Sequence, residues 1–305
     1  MSDLVLAADL GGTNLRMAVV DSDGSFSHLT KRPVPTGVSP DGLMSLIDEM
    51  SGEIRKQMTR GFQAVAFTAP APIAEDFDGV LTKLPNLSSV SGMNFTAELY
   101  ELFGLPVFAE NDATAAAIGE HWLGASLGVD NSVTVTLGTG IGGGVMINGE
   151  VIRGLDGIGG EIGHITVEPK GRQCKCGNIG CIEEYASATA IHRMAAENGL
   201  DVASAADVFA AWQSGNEVAR SVFEEMGRCL GQMLAGLANA LNTEMFVVCG
   251  GVANGWDAFA PSAQAEINRR AYPAAAARAK LVRGQLGDNA GILGAARSAF
   301  LRLGK

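Results

Sequence analysis

Apolar residues along this chain fall into short runs and helical repeats that alternate from end to end. Residues 4–9 form a compact apolar run and residues 15–20 another, with Gly11-Gly12-Thr13-Asn14 between them. The turn Asp21-Ser22-Asp23-Gly24 closes the second run, and a third strand is predicted over 25–32. Helical spacing covers 41–58 after Ser39-Pro40. A buried strand follows at 64–68, a helix at 95–103, and a strand at 106–109 that runs into Glu110-Asn111-Asp112. An alanine-rich helix then extends to about 122. The second half repeats the theme, with strands at 132–137 and 143–147 around a glycine turn and Asn148-Gly149 after them. Helices dominate 188–242, a strand lies at 245–249, another helix follows, and a last strand–turn–helix ends near 303. This alternation predicts an α/β protein.

The two glycine turns have the same setting. Leu10-Gly11-Gly12-Thr13-Asn14 and Gly138-Thr139-Gly140-Ile141-Gly142 each join one strand to the next. A hairpin tip without side chains lets backbone N–H groups approach phosphate oxygens, and the Thr13 and Thr139 hydroxyls can donate to the same oxygens. A strand rather than a helix follows each turn, which excludes the dinucleotide-binding and P-loop arrangements. Two such turns in matching halves predict a duplicated fold that clamps one nucleotide.

Composition narrows the class. The chain has 305 residues, 47% hydrophobic and 18% charged, enough for a large core in two lobes. No apolar run reaches the length of a membrane span. The start, MSDLVLAADLGG, is too acidic and its apolar part too short for a signal peptide, so a cytoplasmic protein without a membrane partner is expected. A net charge of −11 argues against nucleic acid as a partner, since that needs a basic face.

Of the five cysteines, Cys174, Cys176 and Cys181 lie within eight positions. Clustered thiols in a cysteine-poor chain point to a metal site. Three thiolates need one more ligand for a tetrahedral zinc shell, and His164 is the nearest imidazole. Gly171, Gly177 and Gly180 let a short loop wrap an ion. The competing reading is a chance cluster of buried thiols.

The motifs LAADLGGTNLRMAVVD, FAENDATAAAIGEHWLGA, TLGTGIGGGVMINGEVIRG, GGEIGH, CKCGNIGCIEEYAS, VVCGGVAN and AGILGAA together resemble the ROK family of repressors, open-reading-frame proteins and sugar kinases, and most closely its bacterial glucokinases. The resemblance implies a two-lobed actin-like, hexokinase-like (ribonuclease H-like) ATPase fold with a structural zinc loop. It implies a small lobe over 1–111 plus about 290–305 and a large lobe over 112–289. The activity implied is transfer of the γ-phosphoryl group of ATP to the 6-hydroxyl of glucose, with Mg2+ and a structural Zn2+ as cofactors and a homodimer as the assembly.

Residue by residue, the resemblance makes Asp112 the general base. Asn86, Asn111, Asp112, Glu161, His164 and Glu183 become the sugar contacts. Asp9, Gly11, Gly12, Thr13, Gly138, Thr139, Gly140, Gly250 and Gly251 become the nucleotide side, with Asp9 acting on Mg2+ through water. His164, Cys174, Cys176 and Cys181 become the zinc ligands. His164 would then put one ring nitrogen on zinc and turn the other toward the sugar. From its place before a helix alone, Asp112 reads equally as a helix cap, and a capped base would be held rigid.

Some positions depart from the family pattern. Thr68-Ala69-Pro70-Ala71-Pro72 stands where Gly-x-Pro-Gly-Pro is frequent, Asn14 replaces a frequent lysine, and Ser88–Ser91 replace an aromatic. Asn14 leaves less positive charge near the phosphates, while Ala71 and Ser88–Ser91 bear on the choice of hexose, so N-acetylglucosamine, N-acetylmannosamine and fructose are the alternatives to glucose. A sugar sensor of the regulator type would need roughly 70 or more residues carrying a helix-turn-helix ahead of the first strand. Trp122, Trp212, Trp256, Cys229 and Cys249 read as packing. His28, His121 and His192 read as non-catalytic, Glu184 as a residue behind the sugar contacts or on the surface, and Glu224-Glu225 as a solvated helix face.

Overall fold

A computed structural model describes residues 3–71 and 87–304. Asn86, the expected sugar contact, and Pro72 of the departing motif lie outside the described residues. The first part of the chain runs β1 (Leu4–Leu10), β2 (Asn14–Asp21), β3 (Phe26–Pro33), α1 (Pro40–Gln57), β4 (Ala64–Ala69), α2 (Phe95–Phe103), β5 (Val107–Asn111) and α3 (Asp112–Leu123). Then come β6 (Ser132–Leu137), β7 (Ile141–Ile147), β8 (Glu150–Val151), α4 (Glu183–Ala186), α5 (Ala188–Glu197), α6 (Ala205–Gln213) and α7 (Glu217–Leu241). The last part is β9 (Met245–Cys249), α8 (Trp256–Arg270), α9 (Pro273–Ala276), β10 (Lys280–Arg283) and α10 (Ala290–Arg302).

Two mixed five-stranded sheets share one plan. The first has the order β3-β2-β1-β4-β5 and the second β10-β9-β6-β7-β8. In each, the opening strand pairs antiparallel with the next and parallel with a later one, β1 with β2 and β4, β6 with β7 and β9. Read from β8, the second order repeats the first, which is the duplication expected from the two glycine turns. Central strand β4 is buried along its whole length, whereas the edge strand β3 alternates between exposed and half-buried residues. Helices start where their caps say: Ser39, Asn94, Ser187, Ser204 and Asn216 each accept a backbone N–H of the first turn.

The structure refines several strand and cap expectations. Strand β7 begins at Ile141, two residues earlier than the pattern predicts, and β8 goes unpredicted. Glycines 142–144 are strand residues, and at Gly143 no side chain fits, because a Cβ there would meet the Ile162 side chain at 2.5 Å and Gly160 O at 2.8 Å. The cap of α3 is Asn111, not Asp112: its Oδ1 accepts from the N–H groups of Ala113 and Thr114, both at 3.0 Å. Asp112 is the first helical residue.

By its contacts the chain divides into two compact units. The first comprises Met1–Gly124, Val151–Gly159 and Asp288–Lys305, the second Ala125–Glu150 and Gly160–Gly287. Helix α3 stays with the first unit, although the sequence reading starts the large lobe at 112. Close approach of α3 and α10 is the reason: a Cβ on Gly294 would run into Ala115 O, and one on Gly119 into Ala290 O. The first unit's core gathers Leu6, Leu10, Leu15, Met17, Phe67 and Phe95 under α1 and α2. The second gathers Val133, Val135, Leu137, Phe223, Leu230 and Phe259. Cys229 and Cys249 are buried, and Trp122, Trp212 and Trp256 stack on or abut phenylalanines, as packing residues do. No described helix is long and apolar enough to cross a membrane.

Candidate active site

In the first unit, β1 and β2 hold their turn by the pair Leu10↔Leu15 and by Gly11 N donating to Asn14 O at 2.9 Å. Thr13 sits exposed at the tip, its hydroxyl accepting from the Asn14 amide at 2.9 Å. Asp9, at the end of β1, receives the Thr68 hydroxyl at 2.6 Å from the neighbouring β4. Burial pushes the Asp9 carboxyl up, against the lowering effects of the Thr68 hydrogen bond and the Arg16 charge. Arg16, opposite Asp9 on β2, donates to Asp288 O and to Asn289 Oδ1, and so ties the strand to the start of α10.

The end of β5 carries Asn111 and Asp112. Asn111 spends its oxygen on the α3 cap, and its amide donates to Ala71 O at 3.2 Å. Asp112 is exposed, and its Oδ1 accepts from Ala113 N at 2.8 Å. Beneath them Glu110 is 2% exposed and takes a forked bond from Arg153, at 2.6 Å to Nη2 and 3.2 Å to Nε, plus the Ser298 hydroxyl at 3.2 Å. Sequence reasoning missed this pair. Its only signal is an acid immediately before the Asn-Asp motif, and the arginine lies 43 residues away.

In the second unit, β6 and β7 hold the matching turn by the pair Leu137↔Ile141. Gly250 lies against this turn with φ 88°, and a Cβ there would run into Leu137 O, so only glycine fits. Gly251 opens the 3-10 helix Gly251–Gly255. The segment after the cysteine loop backs the turn from the other side: Ala188 N donates to Gly138 O at 2.8 Å and the Thr189 hydroxyl to Thr139 O at 2.9 Å.

Glu161 precedes and His164 ends a single 3-10 turn, Ile162–His164. Three residues per turn put positions i and i+3 on one side, and Nε2 of His164 lies 3.8 Å from Glu161 Oε2. The other ring nitrogen, Nδ1, is 3.7 Å from Cys174 Sγ. Cys176 and Cys181 sulfurs are 3.6 Å apart, and one donor atom from each of the four residues lies within 4.8 Å of the rest. Zinc–sulfur bonds of about 2.3 Å place the sulfurs of a tetrahedral centre roughly 3.8 Å apart, so this donor set fits the ion.

The loop's own bonds hold the donors in place. Asn178 donates its amide to Thr166 Oγ1 at 2.9 Å and to Cys181 Sγ at 3.5 Å. Gly180, at φ 75°, packs where a Cβ would collide with Glu168 O. Burial pushes the Cys181 thiol up to about 12 and the Cys174 thiol upward, while a hydrogen bond from the Asn178 backbone lowers that of Cys176. Metal binding through these thiolates would have to offset the cost of deprotonating the two buried thiols.

Glu183, two residues after Cys181, points its Oε2 at Ile141 N, 2.9 Å away, and abuts Gly140. Glu184 pairs with Arg193 at 2.7 Å. Glu225 is a different case from the solvated face expected: it pairs with Arg228 at 2.7 Å, and Arg228 also reaches Glu168 on the cysteine loop at 2.7 Å.

The family model "ROK family" matches residues 5–300. This chain belongs to the ROK family. Over 310 residues it is 34% identical to a glucokinase of Halalkalibacterium halodurans, covering 95% of this chain and 92% of that protein. It is 31% identical over 294 residues to an N-acetylmannosamine kinase of Shigella flexneri, covering 96% and 97%. The ROK hexokinase of Thermus thermophilus superposes with a TM-score of 0.86 at 32% identity, over 99% of both chains. The two mixed sheets are thus the ROK sugar-kinase fold.

Proposed function

We propose that this ROK protein is an ATP-dependent glucokinase, transferring the γ-phosphoryl group to the 6-hydroxyl of glucose. The observation that carries catalysis is the end of β5. There Asn111 is pinned between the α3 cap and Ala71, leaving the neighbouring Asp112 as an exposed carboxylate on a rigid corner. Asp112 takes the proton of the 6-hydroxyl as that oxygen bonds to the γ-phosphorus and the bond to the β,γ-bridging oxygen breaks, releasing ADP. Glu161, His164 and Glu183 accept and donate hydrogen bonds to the sugar hydroxyls, with Asn86 and Asn111 as further contacts. Gly11–Thr13, Gly138–Gly140, Gly250 and Gly251 attend the nucleotide, and Asp9 would hold Mg2+ through water, the ion supplying neutralisation of phosphate charge when bound. His164, Cys174, Cys176 and Cys181 would hold a structural zinc that fixes the His164 ring with Nε2 facing Glu161. A homodimer in the cytoplasm completes this reading, and size-exclusion chromatography with light scattering checks the assembly.

A coupled ADP-release assay with Mg2+–ATP and a panel of glucose, N-acetylglucosamine, N-acetylmannosamine, mannose and fructose tests the proposal. Glucose should lead in kcat/KM by at least about tenfold, the scale set by one pocket contact. Asp112→Asn should lower kcat by about 10²- to 10⁴-fold with sugar affinity kept. A second reading, N-acetylmannosamine as substrate, draws on the relative of that activity and on Ala71 and the Ser88–Ser91 departures. Turnover led by the acetylated sugar would select it.

A further inference from the structure

Glu183 is already cast above as a sugar ligand, yet its carboxylate faces the glycine turn of its own unit. Oε2 accepts the Ile141 N–H at 2.9 Å, and a Cβ on Gly140 would run into the same oxygen. The residues that follow continue the contact, Ala188 N on Gly138 O and Thr189 Oγ1 on Thr139 O. Ser187 adds a bond from its hydroxyl back to Glu183 O at 2.7 Å, which closes the short helix α4. The turn is therefore braced at three successive points by one segment, and only the Glu183 bond comes from a charged group. On its other flank, a Glu183 oxygen lies within 4.8 Å of Cys174 Sγ.

We infer that Glu183 is a positioning residue for the nucleotide turn, so that one carboxylate serves both substrates. This rests on the proposed function and adds a role for Glu183 at the nucleotide side. The physical argument is the N–H of Ile141. Turned toward the carboxylate, it fixes the orientation of the Gly140–Ile141 peptide and hence the direction of the turn that meets the phosphates. Without an acceptor there, the peptide is left to rotate or to hydrate. A glutamine retains an acceptor oxygen for that N–H but lacks the charge that suits sugar hydroxyls. An alanine lacks both.

That difference separates the two roles in a titration without sugar. Binding of AMPPNP–Mg2+ would be measured by calorimetry for the wild type, Glu183→Gln, Glu183→Ala and Glu183→Asp, with Glu161→Ala as the sugar-ligand control. Glu183→Gln should stay within about twofold of wild type, and Glu183→Ala should bind roughly tenfold more weakly, the scale of leaving one buried N–H without its acceptor. Glu183→Asp, which keeps the charge but draws the acceptor back from Ile141 N by one methylene, should weaken binding to a similar degree, and it decides the matter if Glu183→Ala melts early. Glu161→Ala should match wild type, while glucose titrations of Glu183→Gln and Glu161→Ala should both weaken. Wild-type nucleotide affinity in both Glu183→Ala and Glu183→Asp would overturn the inference and leave the kinase reading intact. Tighter binding would overturn it too, because the carboxylate would then only be repelling phosphate. A wild-type protein that binds no nucleotide would sink the kinase reading itself, and the inference with it.

Discussion

Glu110 illustrates what single residues do in this molecule. Its carboxylate is almost wholly buried, and Arg153, itself 21% exposed, forks onto it, with Arg302 farther off at 3.9 Å. A buried carboxylate stripped of its partner is costly, about 3–5 kcal/mol. Arg153→Met should lose stability on that scale in urea unfolding, and a change under about 1 kcal/mol would mean that Ser298, Arg302 and water suffice. Asn111 and Asp112 were legible as a motif, but their division of labour was not. Both residue types cap helices well, and only the backbone places the cap on Asn111. The Thr68–Asp9 bond was hidden for a similar reason, since parallel pairing of β1 with β4 brings together residues 59 positions apart.

Elements show a second pattern, in which α7 serves as the spine of the cysteine loop. Arg228 reaches Glu168, and Gln232 donates to Val167 O at 2.6 Å, so two residues one turn apart grip the loop. Arg228 also holds the Glu225 carboxyl below its ordinary value of 4.5. A carboxylate whose folded value is depressed adds stability above its unfolded value, and loses it as pH falls through the folded one. Glu225 is 41% exposed, so solvent screening limits the contribution to a few tenths of a kcal/mol. Glu225→Gln should therefore lower Tm by about 1 °C at pH 7, with the difference from wild type closing below pH 4.5.

The loop's other anchor is the donor cluster. Cys176 is its exposed member, so Cys176→Ser disturbs packing least. It should remove one zinc per chain by elemental analysis, lower Tm, and raise the sugar KM more than it lowers kcat. Full zinc content in the variant would argue against the four-residue shell. Spacing alone made this cluster and most strands readable. The start of β7 was misplaced by two residues because Ile141 and Gly142 read as part of the glycine turn, where hydrophobic alternation gives no signal.

At the scale of the whole molecule, the first unit is assembled from three pieces of chain and the second from two. The duplicated strand order was foreseeable from the paired glycine turns. The crossing of α10 onto α3 was less so, because its signal is only small residues, Ala115, Gly119 and Gly294, at the contact. Helix α10 also packs on β1, β4 and β5, and buries Ile292, Leu293 and Phe300. A chain ending at residue 287 should therefore leave the first unit open, with Trp122 fluorescence shifted to the red and rapid proteolysis within residues 3–71, while the second unit stays resistant. Native-like protection of the first unit would show that α10 is dispensable.

The same arrangement sets an order of events at the ribosome. Residues 3–123 emerge first, but the helix that covers their sheet is made only after residues 125–287, a delay on the order of ten seconds or more at ordinary synthesis rates. The second unit is contiguous in synthesis but for the nine residues Val151–Gly159, and can close before then. The half made earliest is thus the half that must wait longest, with an uncovered β1–β4 face that a nascent-chain chaperone would find to hold.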